Sequence, residues 1–247
     1  MLKNRAINYF VNKNFEWWID SGTLLGFVRE NNLLKGDTDI DIGIKNVTEH
    51  QINEILSTDY FKDYVKVVYT YFGMVYKVKL LPRNLRDLKI DINIFFFDPI
   101  SENYFSPQGI KKNSKKLSLK IKQKLIDIRK GNTIGSKKKY VTIIYRLISK
   151  TFKLIHKNRP VIMDMSKLEG KYYDIRYWII PNKYLRQIIK YQKLPVPTEY
   201  KQYLTYRYQN WRVPNKKWIF TRDDGALKSL SHNKKDRLSN IIRGEMK

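Results

Sequence analysis

The sequence has 247 residues, enough for one substantial core or for a catalytic domain with a smaller appendage, and its 42% hydrophobic and 14% aromatic content excludes wholesale disorder despite a mean hydropathy of -0.54. Its 49 Lys and Arg against 23 Asp and Glu give a formal net charge of +26, a field that draws polyanions such as nucleic acid, anionic lipid or phosphorylated glycan. The absence of cysteine excludes disulfides, Cys-ligated zinc and thiol nucleophiles.

A first helix is predicted from about Leu2 to Val11, then a strand from Phe15 to Asp20, the turn Ser21-Gly22-Thr23 and a short helix from Leu24 to Glu30. After a loop, Asn31 to Gly36, the run Asp39 to Ile44 alternates as a strand, and Thr48 with Glu49 marks the start of another helix. Val65 to Tyr71 and Met74 to Leu81 flank Phe72-Gly73 and read as a hairpin, followed by a strand from Lys89 to Phe97 that ends at Asp98-Pro99. The expectation is a mixed α/β (α+β) sheet with flanking helices over residues 1–110.

Residues 111–159 carry 17 Lys and Arg against one acid, Asp127. Val141, Ile144, Tyr145, Ile148, Phe152 and Ile155 recur at helical spacing beside a stripe of Arg146, Lys150, Lys153 and Lys157, which predicts a basic amphipathic helical insertion. It fits a solvated face, an anionic membrane surface or a polyanion. Residues 160–247 form an aromatic-rich C-terminal region expected to pack on the core, with proline loops at Lys193 to Pro197 and Trp211 to Pro214 and a polar tail from Ser231 that frays. No apolar run reaches the roughly 18 to 20 residues of a membrane span, and MLKNRAINYFVNKNF has no signal-peptide core. A cytoplasmic protein with peripheral membrane association is therefore expected.

The carboxylates carry the chemistry. Strand alternation sends Ile40, Ile42 and Ile44 to one face and Asp39 and Asp41 to the other, and it sets Lys89, Asp91 and Asn93 opposite Ile90, Ile92 and Ile94. Asp is poor in strands and costly beside another Asp unless a cation compensates. Magnesium or manganese, which take hard oxygen ligands and share them with substrate phosphate, fit Asp39, Asp41 and Asp91, with Asp37 as a further ligand, an orienting residue or a turn residue. Upstream, Ser21, Gly22 and Thr23 offer backbone N–H groups and hydroxyls to a phosphate at a helix start, and Arg29 is one turn beyond Gly26. GNTIGSK at 131–137 misses the phosphate-loop spacing, and His50, His156 and His232 lack metal-ligand spacing.

The run Ser21 to Arg29 (SGTLLGFVR), followed by Gly36-Asp37-Thr38-Asp39-Ile40-Asp41-Ile42-Gly43, closely resembles the LicD family, which includes fukutin and fukutin-related protein. Lys89-Ile90-Asp91-Ile92 fits the third acidic strand of that family's nucleotidyltransferase fold, and Tyr200 to Tyr208 with Trp211 and Pro214 looks like its closing motif. Lys35-Gly36 and Gln209-Asn210 depart from the usual Pro-Trp and Gly-Asp. The resemblance implies transfer of a phospho-alcohol, such as phosphocholine or ribitol 5-phosphate, from a CDP-alcohol donor to a hydroxyl of a glycan or lipid-linked glycan acceptor, with release of CMP. It further implies that Asp39 and Asp41 bind metal, that Asp91 binds metal or takes the acceptor's proton, and that Ser21 and Gly22 cradle phosphates steadied by Arg29. Arg207 and Trp211 in the closing segment are the expected acceptor or donor contacts. Transfer of a nucleoside monophosphate to RNA, protein or a small molecule, and a non-catalytic basic nucleic-acid-binding role, are the competing readings.

Overall fold

The computed structural model describes residues 5–83, 88–112 and 160–244. The basic helix expected within 111–159, the GNTIGSK loop and His156 lie outside the described residues. A helix α1 (Arg5–Val11) precedes strand β1 (Glu16–Ile19), helix α2 (Ser21–Glu30), strand β2 (Asp39–Lys45) and helix α3 (Glu49–Ser57). The Thr48 side chain accepts from the Gln51 N–H while the Gln51 side chain accepts from the Thr48 N–H, a reciprocal cap at the predicted helix start. Strands β3 (Tyr64–Tyr71) and β4 (Met74–Pro82) form the expected hairpin, with Phe72 at φ 49° and Gly73 at φ 85° making the left-handed pair that a two-residue turn requires. Strand β5 (Lys89–Asp98) follows.

The sheet continues further than sequence periodicity predicts. Strand β6 (Asn103–Lys111) pairs with the end of β5, and three strands from beyond residue 160 join the same sheet: β7 (Val161–Asp164), β8 (Tyr173–Pro181) and β11 (Leu227–Lys228). The order is β11-β8-β6-β5-β4-β3-β7, with β2 parallel to β5 and β1 antiparallel to β2. Helices α4 (Asn182–Leu185), α5 (Tyr200–Tyr208) and α6 (Phe220–Asp223) lie in the C-terminal region. Lys193 to Pro197, read from sequence as a proline loop, lies instead largely in a two-stranded ribbon of β9 (Ile188–Tyr191) and β10 (Leu194–Pro197). A ribbon tolerates Pro195 and Pro197 because each strand has a free edge for residues that lack an N–H.

The tail from Ser231 does not fray: it forms helix α7 (His232–Arg243), whose Leu238 and Ile242, four residues apart, are buried. One core cluster joins Trp18, Ile40, Ile42 and Ile44 of β2, Ile90 and Ile92 of β5, Trp178 and Leu204; a second joins Val65, Val67, Phe105, Tyr177, Leu238 and Ile242. Among the described residues no helix is long and apolar enough to cross a membrane.

Candidate active site

The floor of the site is the face of β1, β2, β5 and β4 opposite the buried isoleucines. Ile40, Ile42, Ile90 and Ile92 are fully buried, which anchors the alternation and turns Asp39, Asp41 and Asp91 to the other face. Asp41 and Asp91 are direct register partners in the parallel β2–β5 pair, as are Asp39 with Lys89 and Gly43 with Asn93. On the other edge of β5, Lys79 stands opposite Asp91 and Lys77 opposite Asn93. Lys77 Nζ lies 2.7 Å from Asp91 Oδ2, and Lys79 Nζ lies 3.4 Å from Asp91 Oδ1.

Above this floor the chain leaves β1 at the buried Asp20 and enters α2 at once, with Ser21 in the left-handed region at φ 48°. The predicted three-residue turn is thus the first turn of the helix itself. Two hydrogen bonds fix it to β2: the Asp20 N–H donates to the Asp41 carbonyl at 3.0 Å, and the Asp41 N–H donates to Thr23 Oγ1 at 2.8 Å. A Cβ built on Gly22 would sit 3.1 Å from Asp37 Oδ2 and 3.7 Å from Asp41 Oδ2. Glycine therefore lets the α2 backbone close directly onto the carboxylates.

Two sequence expectations change here. Thr23, expected to bind a phosphate, is fully buried with its hydroxyl committed to β2, so it positions Asp41. Arg207, expected to contact donor or acceptor, is 1% exposed and sits behind the turn. Its Nη2 donates to Asp224 Oδ2 at 2.6 Å, and its Nη1 donates to Ser21 Oγ at 2.9 Å and reaches Asp20 Oδ1 at 3.4 Å. The guanidinium also stacks over Trp178, 4.3 Å from the ring centroid. Tyr203 Oη donates to Asp20 Oδ1 at 2.6 Å, and Trp178 Nε1 to Asp224 Oδ2 at 3.0 Å. Helix α5 thereby reaches from the far end of the sequence to hold the Asp20-Ser21 corner.

Charge is distributed unevenly over the acids. Asp41 is pushed well above the usual carboxylate range by desolvation, by the Asp91 charge beside it and by Asp39. Burial also pushes Asp91 upward, but Lys77 and Lys79 outweigh it and hold that carboxyl below its ordinary value. Asp37 is raised to about 6 by burial and by the Asp39 charge. The expectation that Asp39, Asp41 and Asp91 meet at one point is met only in part, because Asp91 turns its oxygens to the two lysines. Among the described residues, no three Asp, Glu or His side chains stand grouped to hold a metal ion as placed. The donor set nonetheless suits a hard divalent cation. The donors Asp37, Asp39 and Asp41 that line the cleft are all oxygen, and the upward push on Asp37 and Asp41 marks a place where a cation is favoured over crowded negative charge.

Asp37, Asp39 and Asp41 line one wall of a cleft of about 750 Å³, with Gly22, Arg29 and Lys35 beside them and Tyr208, Trp211 and Trp218 across the opening. Arg29 Nη1 donates to the Trp211 carbonyl at 3.1 Å and Nη2 to Glu30 Oε1 at 2.8 Å, which ties α2 to the segment after α5. The Trp211 ring is 6% exposed and its Nε1 donates to Thr205 Oγ1 at 3.1 Å. Sequence reasoning passed over Lys77, Lys79, Asp20, Tyr203 and Asp224. The alternation Lys77-Val78-Lys79 in a hairpin strand was the available signal for the first two; the others depend on tertiary contacts between distant segments.

Residues 14–128 match the LicD/FKTN/FKRP nucleotidyltransferase domain. Over 43 residues the chain is 46% identical to uncharacterized protein RP689 of Rickettsia prowazekii (strain Madrid E) and to uncharacterized protein RT0683 of Rickettsia typhi (strain ATCC VR-144 / Wilmington). Each match covers 17% of this chain, and the chain spans 16% and 14% of those relatives. No solved structure matches. The matched stretch opens just before β1 and takes in the whole acidic floor with the helix start that closes onto it, so residues 14–128 carry the features of the LicD/FKTN/FKRP nucleotidyltransferase domain they match.

Proposed function

We propose that the protein is a metal-dependent phosphotransferase that moves a phospho-alcohol, such as phosphocholine or ribitol 5-phosphate, from a CDP-activated donor to a sugar hydroxyl of a glycan. The observation that carries this reading is the register pairing of Asp41 with Asp91 beneath a helix start whose Gly22 leaves no side chain between backbone and carboxylates. A magnesium or manganese ion, when bound, neutralises charge on the transferred phosphate. Asp39 and Asp41 hold that ion, with Asp37 next to them at the cleft wall. Ser21 and Gly22 face the donor phosphates with the first N–H groups of α2. Arg29, at the same wall, steadies them.

Asp91, kept ionised by its lysines, orients the acceptor hydroxyl rather than retaining its proton. The acceptor oxygen forms a bond to the alcohol-bearing phosphorus, the anhydride bond to CMP breaks, CMP leaves with the electron pair, and the proton passes to solvent. The reading puts the reaction at the cytoplasmic side of a membrane that carries a lipid-linked glycan, with the Lys-rich segment 111–159 meeting anionic lipid.

Incubation with magnesium and a panel of CDP-alcohols, with and without acceptor sugars, tests it. CMP release that rises with acceptor is the expected result. Pyrophosphate release from a nucleoside triphosphate, with no CMP from any CDP-alcohol, overturns it in favour of nucleotidyl transfer.

A further inference from the structure

We propose that a second cleft beside the acidic one binds the saccharide acceptor, and that Gln209, held in a strained backbone conformation, is the contact that sets its specificity. This rests on the glycan-acceptor reading above.

The second cleft has a volume of about 590 Å³. The stretch from Asn210 to Trp218 lines both clefts, so the two share a wall. Asp37, Asp39 and Asp41 line the first and not the second, whereas Gln209, Lys217 and Arg222 line the second and not the first. An oligosaccharide long enough to pass that wall can lie in the second cleft and bring a terminal hydroxyl to the carboxylates.

Gln209 is the feature that marks this cleft as more than a surface groove. It ends α5 at φ 55° and ψ −112°, a conformation open to glycine and strained for any residue with a Cβ. The backbone there has no need of glutamine. Its N–H donates to the Thr205 carbonyl at 2.9 Å and its carbonyl accepts from the Trp211 N–H at 2.9 Å, bonds that glycine would make without strain. The exposed side chain adds no hydrogen bond to any described residue, and neither does that of Asn210 beside it. A strained position that keeps a free amide at a cleft wall is explained by a ligand that the amide meets.

The lining names the class of ligand. A side-chain amide offers two donors and an acceptor, which suits adjacent sugar hydroxyls that each donate and accept. The rings of Tyr208 and Trp218, with centroids 5.2 Å apart, add apolar surface for the C–H face of a sugar ring. Arg222 and Asp223 close on each other at 2.6 Å and cancel, and Lys216 and Lys217 are exposed. Amides and rings beside a closed ion pair fit hydroxyls better than phosphate, which leaves phosphate chemistry to the first cleft.

Saturation-transfer difference NMR on the full chain, without metal or donor, tests this with neutral trisaccharides of glucose, galactose, N-acetylglucosamine and rhamnose as probes. At least one is expected to bind. Gln209→Gly is expected to raise the melting temperature by about 2 to 4 °C as strain is released, and to weaken that binding about five- to tenfold as the amide is lost. Gln209→Ala keeps the strained backbone, so it is expected to weaken binding equally without the gain in melting temperature. Wild-type binding by either variant, a lower melting temperature in Gln209→Gly, or no binding of any of the four probes overturns the assignment. The two readings fail separately. Acceptor-stimulated CMP release that is unchanged in Gln209→Gly removes the part given to this cleft and leaves the phosphotransferase. Saccharide binding that weakens in Gln209→Gly, with no CMP release from any CDP-alcohol, leaves the cleft and removes the phosphotransferase.

Discussion

Gly22 is the residue whose replacement separates chemistry from stability. In Gly22→Ala the new methyl lies against Asp37 Oδ2 and Asp41 Oδ2, while helix propensity in α2 improves by about 1 kcal/mol. The melting temperature is expected to hold or rise slightly by calorimetry, and Mn2+ affinity to fall by about tenfold, the scale of disturbing a contact that orients a ligand carboxylate. Asp37 gives the pH dependence. Its folded pKa of about 6 lies above the ordinary 3.8, so the folded state binds the proton more tightly; the stability this contributes is full below about 4 and is lost as pH rises through about 6. A cation competes with that proton, so metal affinity weakens as pH falls through about 6 while metal-free stability grows over the same interval. Titration of Mn2+ binding between pH 5 and pH 7.5 checks this, and Asp37→Asn reduces the slope. At this scale the sequence was highly legible where polarity broke a pattern: carboxylates between isoleucines in a strand have few reasons to be there. It was opaque for Lys77 and Lys79, because alternating lysines in a hairpin read equally well as a solvated face until β5 is seen to supply Asp91.

Among the elements, α5 holds the Asp20-Ser21 corner from the far end of the chain. Its buried Arg207 neutralises Asp224 and reaches Asp20 and Ser21, so removal leaves buried carboxylates unpaired. Arg207→Met is expected to cost about 3 to 5 kcal/mol in urea denaturation, and adding Asp224→Asn to restore part of that loss, since the second change removes one stranded charge. Equal losses in the single and the additive double variant would show that the pair is not coupled. Strands β2 and β5 were legible because carboxylates alternate with isoleucines in them, and β1, β3 and β4 because short β-branched and aromatic runs stop at Asp20 or flank Phe72-Gly73. Strand β6 was missed because Pro107 and Gly109 interrupt it, and β8 because its run of Tyr, Trp and Ile resembles any aromatic core segment. The last helix was missed because only Leu238 and Ile242 mark its buried face within a polar stretch.

Across the whole molecule, the acidic site is completed by segments far apart in the chain. β2 and β5 supply the carboxylates, β4 the lysines, α2 the backbone that closes onto them, and α5 the arginine that holds α2 in place. Periodicity predicts the first of these, and contacts between distant segments settle the rest. The field of +26 surrounds a pocket of negative residues, so on the proposed reading an anionic donor would be drawn towards the protein in general and retained where a bound cation inverts the local sign. The measurement that tests the account most directly is magnesium-dependent CMP release from CDP-alcohols by Asp39→Ala, set beside its circular dichroism and melting temperature. The account predicts an intact fold with turnover lowered at least about a thousandfold, the loss of charge stabilisation at the transferred phosphate. Wild-type turnover by a natively folded Asp39→Ala would contradict it.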